Sequence, residues 1–254
     1  MNIFFSIIIP IYNAEKTLAT TLDSVLEQTY RNYEVILIND CSNDNSSKII
    51  NQYKHQFSKI NIINNVTNIG VANSRNKGAL ISNGDYIAFL DSDDVWMNDK
   101  LEKQKQIIID TNCDVCCTSY SFIDEFSQDI KSDYIVPEKI TYKMLLKENY
   151  VGCSSVIIKR EVFLENKMSD TYFHEDFALW LNLTRNNTPI LGTDQVLMKY
   201  RIMSNSRSFN KLKAAKNRYE IYRKQEELNI FQSLYYLSCY IINGFRKKML
   251  YKTR

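Results

Sequence analysis

The sequence predicts an α/β fold with a mostly parallel sheet and helices on both of its faces. Apolar runs at residues 5–9, 33–38 and 86–90 have the length and composition of buried strands. Between the first two runs, Leu18 and Leu22 begin a pattern with helical spacing. Strands that alternate with helices in this way lie side by side in parallel, because each connecting helix packs back on the sheet.

Further elements follow in the same order along the chain. Strands are predicted at residues 60–63, 115–120, 154–158 and 196–201, and helices at residues 44–53, 73–81, 98–111 and 174–183. The polar stretch 122–148 is predicted to be an irregular loop. We predict one domain over residues 1–208, with halves of about 1–95 and 96–208, and a basic, amphipathic helical tail over residues 209–254.

The composition is that of an ordinary folded protein. Of the 254 residues, 44% are hydrophobic and 24% are charged, and there are only six glycines and three prolines. These proportions argue against long disordered linkers. Residues 1–10 are apolar but lack the basic segment and the small-residue cleavage site of a signal peptide, so we expect a first strand there.

Six cysteines raise the question of a metal or redox site. Cys113 and Cys116 form a C-x-x-C pair, but no second pair follows. The two histidines, His55 and His174, are far away in sequence. Zinc sites need four ligands with closer spacing, so we interpret the cysteines as buried structural thiols in a reducing cytoplasm.

Charge is distributed unevenly along the chain. Residues 199–254 carry 14 basic and three acidic side chains, a local charge of +11, whereas residues 1–198 carry a charge of −8. This asymmetry indicates an acidic body with a basic tail directed at an anionic partner. Nucleic acid and a phospholipid surface are the two candidates.

The densest acidic cluster follows the strand at residues 86–90. Asp91, Asp93 and Asp94 come directly after it, and an extended backbone would direct Asp91 and Asp93 to the same side. This edge of an open α/β sheet is where ligands bind, and paired carboxylates suit a divalent cation shared with a diphosphate. The alternative is that Asp93, Asp94 or Asn98 caps the next helix.

Three further segments place polar groups near the same edge. Asp40 follows the second strand and could accept a hydrogen bond from a base, or could stabilise a turn. The glycine-containing segment 68–78 opens a helix and carries Arg75, which favours an anion, although it matches no dinucleotide or P-loop pattern. Asp176 starts a later helix, as either a cap or a general base.

Five ordered segments together resemble the family 2 glycosyltransferases, inverting nucleotide-sugar enzymes with the GT-A fold. The resemblance extends over about residues 3–208. The segments are Ser-Ile-Ile-Ile-Pro-Ile-Tyr-Asn at 6–13, Asn-Asp-Cys-Ser at 39–42, residues 68–78, Gly-Asp-Tyr-Ile-Ala-Phe-Leu-Asp-Ser-Asp-Asp-Val-Trp at 84–96 and Glu-Asp-Phe-Ala-Leu-Trp at 175–180.

The resemblance implies a role for each matching position. It makes residues 1–95 the nucleotide half and residues 96–208 the acceptor half. Asp93 falls where the family binds Mn²⁺ or Mg²⁺, and Asp176 falls on the base that deprotonates the acceptor hydroxyl. The resemblance also implies that the nucleotide sugar is bound at Pro10, Tyr12, Asp40, Arg75, Asp91 and Ser92, with the first three at the uracil ring.

The sequence departs from the family pattern at two points, which bear on the base-binding site and on the kind of transfer. Asn39 stands where the family often has an aspartate, but Asp40 keeps the base-binding position. No Q-x-x-R-W follows Trp180 and no transmembrane bundle is present, which favours addition of one sugar over processive synthesis. The resemblance implies a UDP-sugar donor and a saccharide acceptor, lipid-linked through undecaprenyl diphosphate, as in bacterial O-antigen or capsule assembly.

The tail adds an expectation about partners. Residues 230–245 are apolar and aromatic and meet the basic run Arg246-Lys-Lys248. The apolar segment 230–245 is too short and too interrupted to span a bilayer, which needs about 20 apolar residues. It either lies at the membrane interface or packs on the catalytic domain. We expect no nucleic-acid partner and a cytoplasmic protein, with peripheral contact to the inner face of the membrane as an open alternative.

Two rival functions remain. A sugar-1-phosphate nucleotidyltransferase would carry a glycine-rich, basic loop after the first strand, where this chain has residues 11–15, Ile-Tyr-Asn-Ala-Glu. A non-catalytic sugar-nucleotide-binding module recruited to the membrane would need neither Asp93 nor Asp176.

Overall fold

A twisted sheet forms the centre of the protein. The computed structural model describes residues 2–203 and 211–252, and the predicted domain boundary at residue 208 lies outside them. The strands within this part are β1 (Phe5–Ile11), β2 (Tyr33–Asn39), β3 (Ile60–Asn64), β4 (Tyr86–Phe89), β5 (Val95–Trp96), β6 (Val115–Ile123), β7 (Asp129–Tyr134), β8 (Lys139–Ile140), β9 (Ile157–Lys159) and β10 (Ile190–Arg201).

Helices cover both faces of this sheet. They are α1 (Leu18–Leu26), α2 (Ser46–Tyr53), α3 (Val71–Ile81), α4 (Lys100–Thr111), α5 (Tyr142–Lys147), α6 (Arg160–Glu165), α7 (Glu175–Arg185), α8 (Lys211–Glu220) and α9 (Ile230–Lys252), with a 3₁₀ turn at Cys153–Ser155 and a π turn at Ile221–Gln225. The alternation of strands and helices predicted for the first half is therefore present.

The sheet order explains where polar side chains collect. Its path is β3-β2-β1-β4-β9-β6-β10-β5, and β7 and β8 pair with β6 and β10. The strands β3, β2, β1 and β4 run parallel, as do β6 and β10, whereas the short strands β5, β7, β8 and β9 pair antiparallel. The carboxyl ends of β1, β2 and β4 therefore share one edge, where the predicted site residues follow them.

Close packing brings α3 onto the sheet at this edge. A Cβ at Gly78 would lie 2.7 Å from Ile8 Cγ2 and 2.9 Å from Ile38 Cδ1, so any larger residue would force these side chains to shift. Arg75 is one helical turn before Gly78, and the same packing holds its side chain near the ends of the strands.

Two local predictions were wrong. Residues 122–148 are not irregular, because they form β7, β8 and α5. The stretch is polar since β7 lies at the margin of the sheet, with Asp129, Lys131 and Asp133 exposed and Ile130 and Tyr134 turned inward. In the predicted strand 154–158, the first residues form a 3₁₀ turn, and β9 begins only at Ile157.

Lys100 is an unusual core residue. Its side chain is fully buried, its ammonium donates a hydrogen bond to Gln104 Oε1, and its Nζ lies 4.2 Å from the centre of the Trp96 ring. Burial disfavours the charged form and lowers the pKa of Lys100 to about 7.

Four of the six cysteines, Cys113, Cys116, Cys117 and Cys153, are buried free thiols.

Replacing Lys100 should change how stability depends on pH. Between about pH 7 and pH 10 the unfolded chain keeps the lysine proton and the folded chain has lost it, so the free energy of unfolding rises with pH. Lys100→Met should remove this rise and increase the melting temperature by several degrees at neutral pH and below. Thermal unfolding across this range tests the prediction, with exposed Lys103→Met on the same helix as control. Equal pH slopes for wild type and Lys100→Met would contradict it.

Candidate active site

The loop after β4 is a tight turn, not the extended segment that the sequence analysis assumed. The backbone N–H of Asp94 donates to the carbonyl of Asp91 at 3.2 Å. Two threonines of the first helical segment fasten the turn: Thr17 Oγ1 donates to the Ser92 carbonyl at 2.8 Å, and Thr21 Oγ1 donates to the Asp94 carbonyl at 2.9 Å. Within this turn Asp91 lies near enough to Asp93 for its charge to act on the Asp93 carboxyl group.

The far end of β10 supports the same turn. The backbone N–H of Arg201 donates to Asp94 Oδ1 at 2.9 Å, and its Nε donates to the Asp93 carbonyl at 2.7 Å. The backbone N–H of Asp91 donates to Ser154 Oγ at 3.0 Å. Arg201 and Ser154 were not predicted as site residues. Arg201 was predicted only as the last residue of a strand, and nothing local in the sequence marked Ser154.

The helix-capping alternative does not account for the acids. Helix α4 begins at Lys100 with Asp99 as its N-cap, and no side chain makes a capping hydrogen bond there. Asp94 is buried, and its Oδ1 accepts a hydrogen bond from the Arg201 backbone N–H. Asp91 and Asp93 remain partly exposed at the surface of the turn, so these two carboxylates are the ones available to a ligand.

Electrostatics around the turn favour a cation. Burial and the neighbouring Asp91 carboxylate raise the pKa of Asp93 to about 6, and burial together with Asp93 and Asp91 raises the pKa of Asp94 well above its usual range. A positive ion would relieve this repulsion. Among the described residues, no three His, Cys, Asp or Glu side chains stand together as a complete metal cage. Two carboxylates nevertheless fit Mn²⁺ or Mg²⁺ if a diphosphate supplies further oxygens.

Arg75 links this turn to the helix that carries Asp176. Its guanidinium is 3% exposed; Nη2 lies 2.5 Å from Asp91 Oδ1 and Nη1 lies 2.9 Å from Glu175 Oε1. Nη1 also approaches Met168 Sδ at 3.8 Å. One buried cation therefore joins the strand edge and the start of α7.

Asp176 lies in the first turn of α7, beside this ion pair. Burial and the Glu175 charge raise the pKa of Asp176 to about 6, while the Arg75 guanidinium opposes part of that rise. Its Oδ1 accepts a hydrogen bond from the backbone N–H of Phe177 at 2.7 Å. A carboxylate with a pKa near 6 is ionised at neutral pH and basic enough to accept a proton from a hydroxyl in a reaction.

Asp40 anchors the loop that leads into α3. Its Oδ1 accepts from the backbone N–H of Ile69 at 2.9 Å and from Asn65 Nδ2 at 2.8 Å, and its Oδ2 accepts from the backbone N–H of Gly70 at 2.9 Å. The negative group at the N-terminus of α3 is thus a side chain of the protein itself. A role for Asp40 in binding a base remains a prediction, since Oδ2 retains lone-pair capacity.

The remaining predicted residues lie along the same edge. Pro10 is buried in β1, Tyr12 follows β1 with half of its surface exposed, and Ser92 occupies the acidic turn. A cavity of about 340 Å³ opens after β1; it is lined by residues 13–17, Asn43, Asp44 and Met203. The exposed ring of Tyr12 at this edge suits a planar ligand.

Comparisons with known proteins identify the family of this chain. A model described as glycosyl transferase family 2 matches residues 6–166. The putative teichuronic acid biosynthesis glycosyltransferase TuaG of Bacillus subtilis is 35% identical over 244 residues, covering 96% of this chain and 97% of the relative. UDP-Glc:alpha-D-GlcNAc-diphosphoundecaprenol beta-1,3-glucosyltransferase WfgD of Escherichia coli is 36% identical over 244 residues, covering 95% and 94%.

A solved structure supports the fold. The mannosyltransferase PcManGT from Pyrobaculum calidifontis, in complex with GDP-Man and Mn²⁺, superposes with a TM-score of 0.71 at 13% identity, covering 94% of this chain and 69% of that chain. At this identity the likeness concerns the fold alone. Because the family model matches more than half of the chain and the two relatives match nearly all of it, the protein belongs to glycosyltransferase family 2 and has the GT-A fold.

Proposed function

We propose that this glycosyltransferase moves one sugar from a UDP-sugar to a hydroxyl group of a saccharide acceptor, with inversion at the anomeric carbon. The observation that carries the proposal is the meeting of the acidic turn, Arg75 and the start of α7 at one edge of the sheet. This arrangement offers a cation and diphosphate site beside a carboxylate that can accept a proton.

The proposed binding site for the UDP-sugar donor lies at the carboxyl ends of the parallel strands. Pro10, Tyr12 and Asp40 are proposed to hold the uracil ring, at the neighbouring ends of β1 and β2. Asp91 and Ser92 would contact the ribose or the sugar, with Arg75 holding Asp91 in place. The name of the relative WfgD specifies UDP-Glc, which supports UDP as the nucleotide.

Asp93 is the proposed ligand of Mn²⁺ or Mg²⁺. The pair of carboxylates in the turn has the hard oxygen donors that these cations prefer. When bound, the cation would offset the charge that develops on the departing nucleoside diphosphate. The residues of the protein contribute the rest of the chemistry.

Asp176 is the proposed general base. It accepts the proton of the acceptor hydroxyl, whose oxygen forms a bond to the anomeric carbon as the bond to the diphosphate breaks. The nucleoside diphosphate leaves with the electron pair of that bond. Attack from the opposite face inverts the anomeric centre, and no covalent enzyme intermediate is needed.

The acceptor is proposed to be lipid-linked. WfgD is named for an acceptor with a sugar on diphosphoundecaprenol, and TuaG for teichuronic acid biosynthesis. By analogy, this protein would extend an undecaprenyl-diphosphate saccharide in the assembly of a surface polysaccharide such as O-antigen or capsule. It would then work at the cytoplasmic face of the cell membrane.

Slow donor hydrolysis gives a direct test, because water can replace the unknown acceptor. Purified protein should release nucleoside diphosphate from one member of a panel of UDP-sugars and GDP-mannose, and only with Mn²⁺ or Mg²⁺. Asp93→Asn and Asp176→Asn should each reduce the rate about 100-fold or more. Asp110→Asn, an exposed residue of α4, is the matched control and should keep wild-type activity.

Two results would count against this function. Turnover that persists in the presence of a chelator, or in Asp93→Asn, would contradict the metal assignment. If no donor is hydrolysed and UDP with Mn²⁺ still stabilises the fold, the protein is a binding module and not an enzyme.

The pH profile should reveal the environment of Asp176. Its raised pKa means that the base is protonated below about pH 6. The rate at saturating Mn²⁺ should therefore decrease as the pH is lowered through about 6, which gives the pH profile an acid limb near that value. Glu175→Gln removes a neighbouring negative charge and should move this limb to lower pH. Asp110→Asn should not move it. An acid limb at the same pH in Glu175→Gln and wild type would contradict the assignment.

A further inference from the structure

One face of the C-terminal helix α9 is fixed to the catalytic domain. Asn243 Nδ2 donates to the Lys147 carbonyl at 3.3 Å, and Lys247 Nζ lies 4.0 Å from the centre of the Tyr134 ring. The Tyr236 and Tyr222 rings lie 6.1 Å apart. The alternative that the tail packs on the domain is therefore correct for this face.

The opposite face of α9 is apolar and points to solvent. Phe231 is 84% exposed, Tyr235 54%, Ile242 52% and Leu234 51%. Spacings of three, four and seven residues align them along one side of the helix. Side chains of this size are normally buried, and a continuous exposed row of them marks an interaction surface. We call these four residues, with Ile241, the outward face.

Charge on and around α9 identifies the kind of partner. The helix contains no acidic residue, and its four basic residues, Arg246, Lys247, Lys248 and Lys252, are all in its C-terminal third. The whole segment 199–254 has a charge of +11. A second copy would bring two such basic segments together, which is unfavourable, whereas an anionic surface complements them.

The inner face of α9 lies close to the proposed chemistry. The Arg218 guanidinium is sandwiched between two rings, 3.3 Å from the centre of Phe177 on α7 and 4.5 Å from the centre of Tyr240 on α9. Phe177 directly follows Asp176 in the chain. A single layer of side chains thus separates α9 from the helix that carries the proposed base.

We propose that the outward face of α9 docks on a lipid bilayer with anionic headgroups, so that the apolar side chains enter the interface and the exposed Arg246, at the basic end of the helix, contacts the lipid phosphates. Within the described chain, no helix has the length and apolarity to cross a bilayer. The helix would lie along the membrane surface, as amphipathic helices with basic flanks do. The inference rests on the proposed function in one respect: the same membrane would present the lipid-linked acceptor to Asp176.

Vesicle flotation of the full-length chain tests this docking. Wild type should bind vesicles of phosphatidylcholine and phosphatidylglycerol, bind phosphatidylcholine alone much less, and dissociate at high salt. Replacing two outward side chains, in Phe231→Ser/Ile242→Ser, should lower the partition coefficient about tenfold or more. Leu234→Ser/Tyr235→Ser should act in the same direction. Phe126→Ser is the matched control, because Phe126 is 75% exposed but lies in the β6–β7 loop, and it should bind as wild type does.

Donor hydrolysis without vesicles is measured on the same proteins, and all three variants should match wild type because none alters the active site. Absence of vesicle binding, or binding unaffected by both double variants, would overturn the docking inference whether or not the donor is hydrolysed. A wild-type dimer that dissociates in the double variants would overturn it in favour of a second copy. Vesicle binding without hydrolysis of any donor would leave the docking supported and reject the proposed function.

Discussion

Burial of Arg75 constrains the rest of the site, because a guanidinium withdrawn from water is stable only beside opposite charge. Its two partners come from distant parts of the chain, Asp91 after β4 and Glu175 at the start of α7. The ion pair therefore fixes the acidic turn and the helix of the proposed base relative to each other. It also sets the local field, in which a positive charge opposes the effect of burial on Asp176.

The parallel sheet makes this arrangement possible, and short polar contacts refine it. Parallel pairing of β1, β2 and β4 delivers their carboxyl ends to one edge, and the close contact at Gly78 seats α3 beside them. Thr17, Thr21 and Arg201 then hold the turn after β4 through its backbone carbonyls and the Asp94 carboxylate. The Asp93 carboxylate remains partly exposed, whereas Asp91 Oδ1 is paired with Arg75, so Asp91 belongs both to the scaffold and to the proposed site.

Much of this could be predicted from the sequence, and the exceptions have physical reasons. The apolar runs of β1, β2 and β4 and the acids after them are local patterns, so both the α/β fold and the acidic cluster were correctly predicted. The strand β7 was missed because an edge strand with one face in solvent is half polar. The contacts of Arg75 with Glu175 and of Ser154 with Asp91 join residues far apart in sequence, and no local pattern encodes them.

A double-mutant cycle on Arg75 and Glu175 tests the coupling of the two halves most directly. The free energies of unfolding of wild type, Arg75→Met, Glu175→Gln and the double variant would be measured in urea. Arg75→Met should cost about 3 kcal/mol because it removes the buried cation that faces both carboxylates, and Glu175→Gln should restore part of that loss in the double variant. We predict an interaction energy of about 1–3 kcal/mol. Strictly additive effects would contradict the view that this buried ion pair holds the site together.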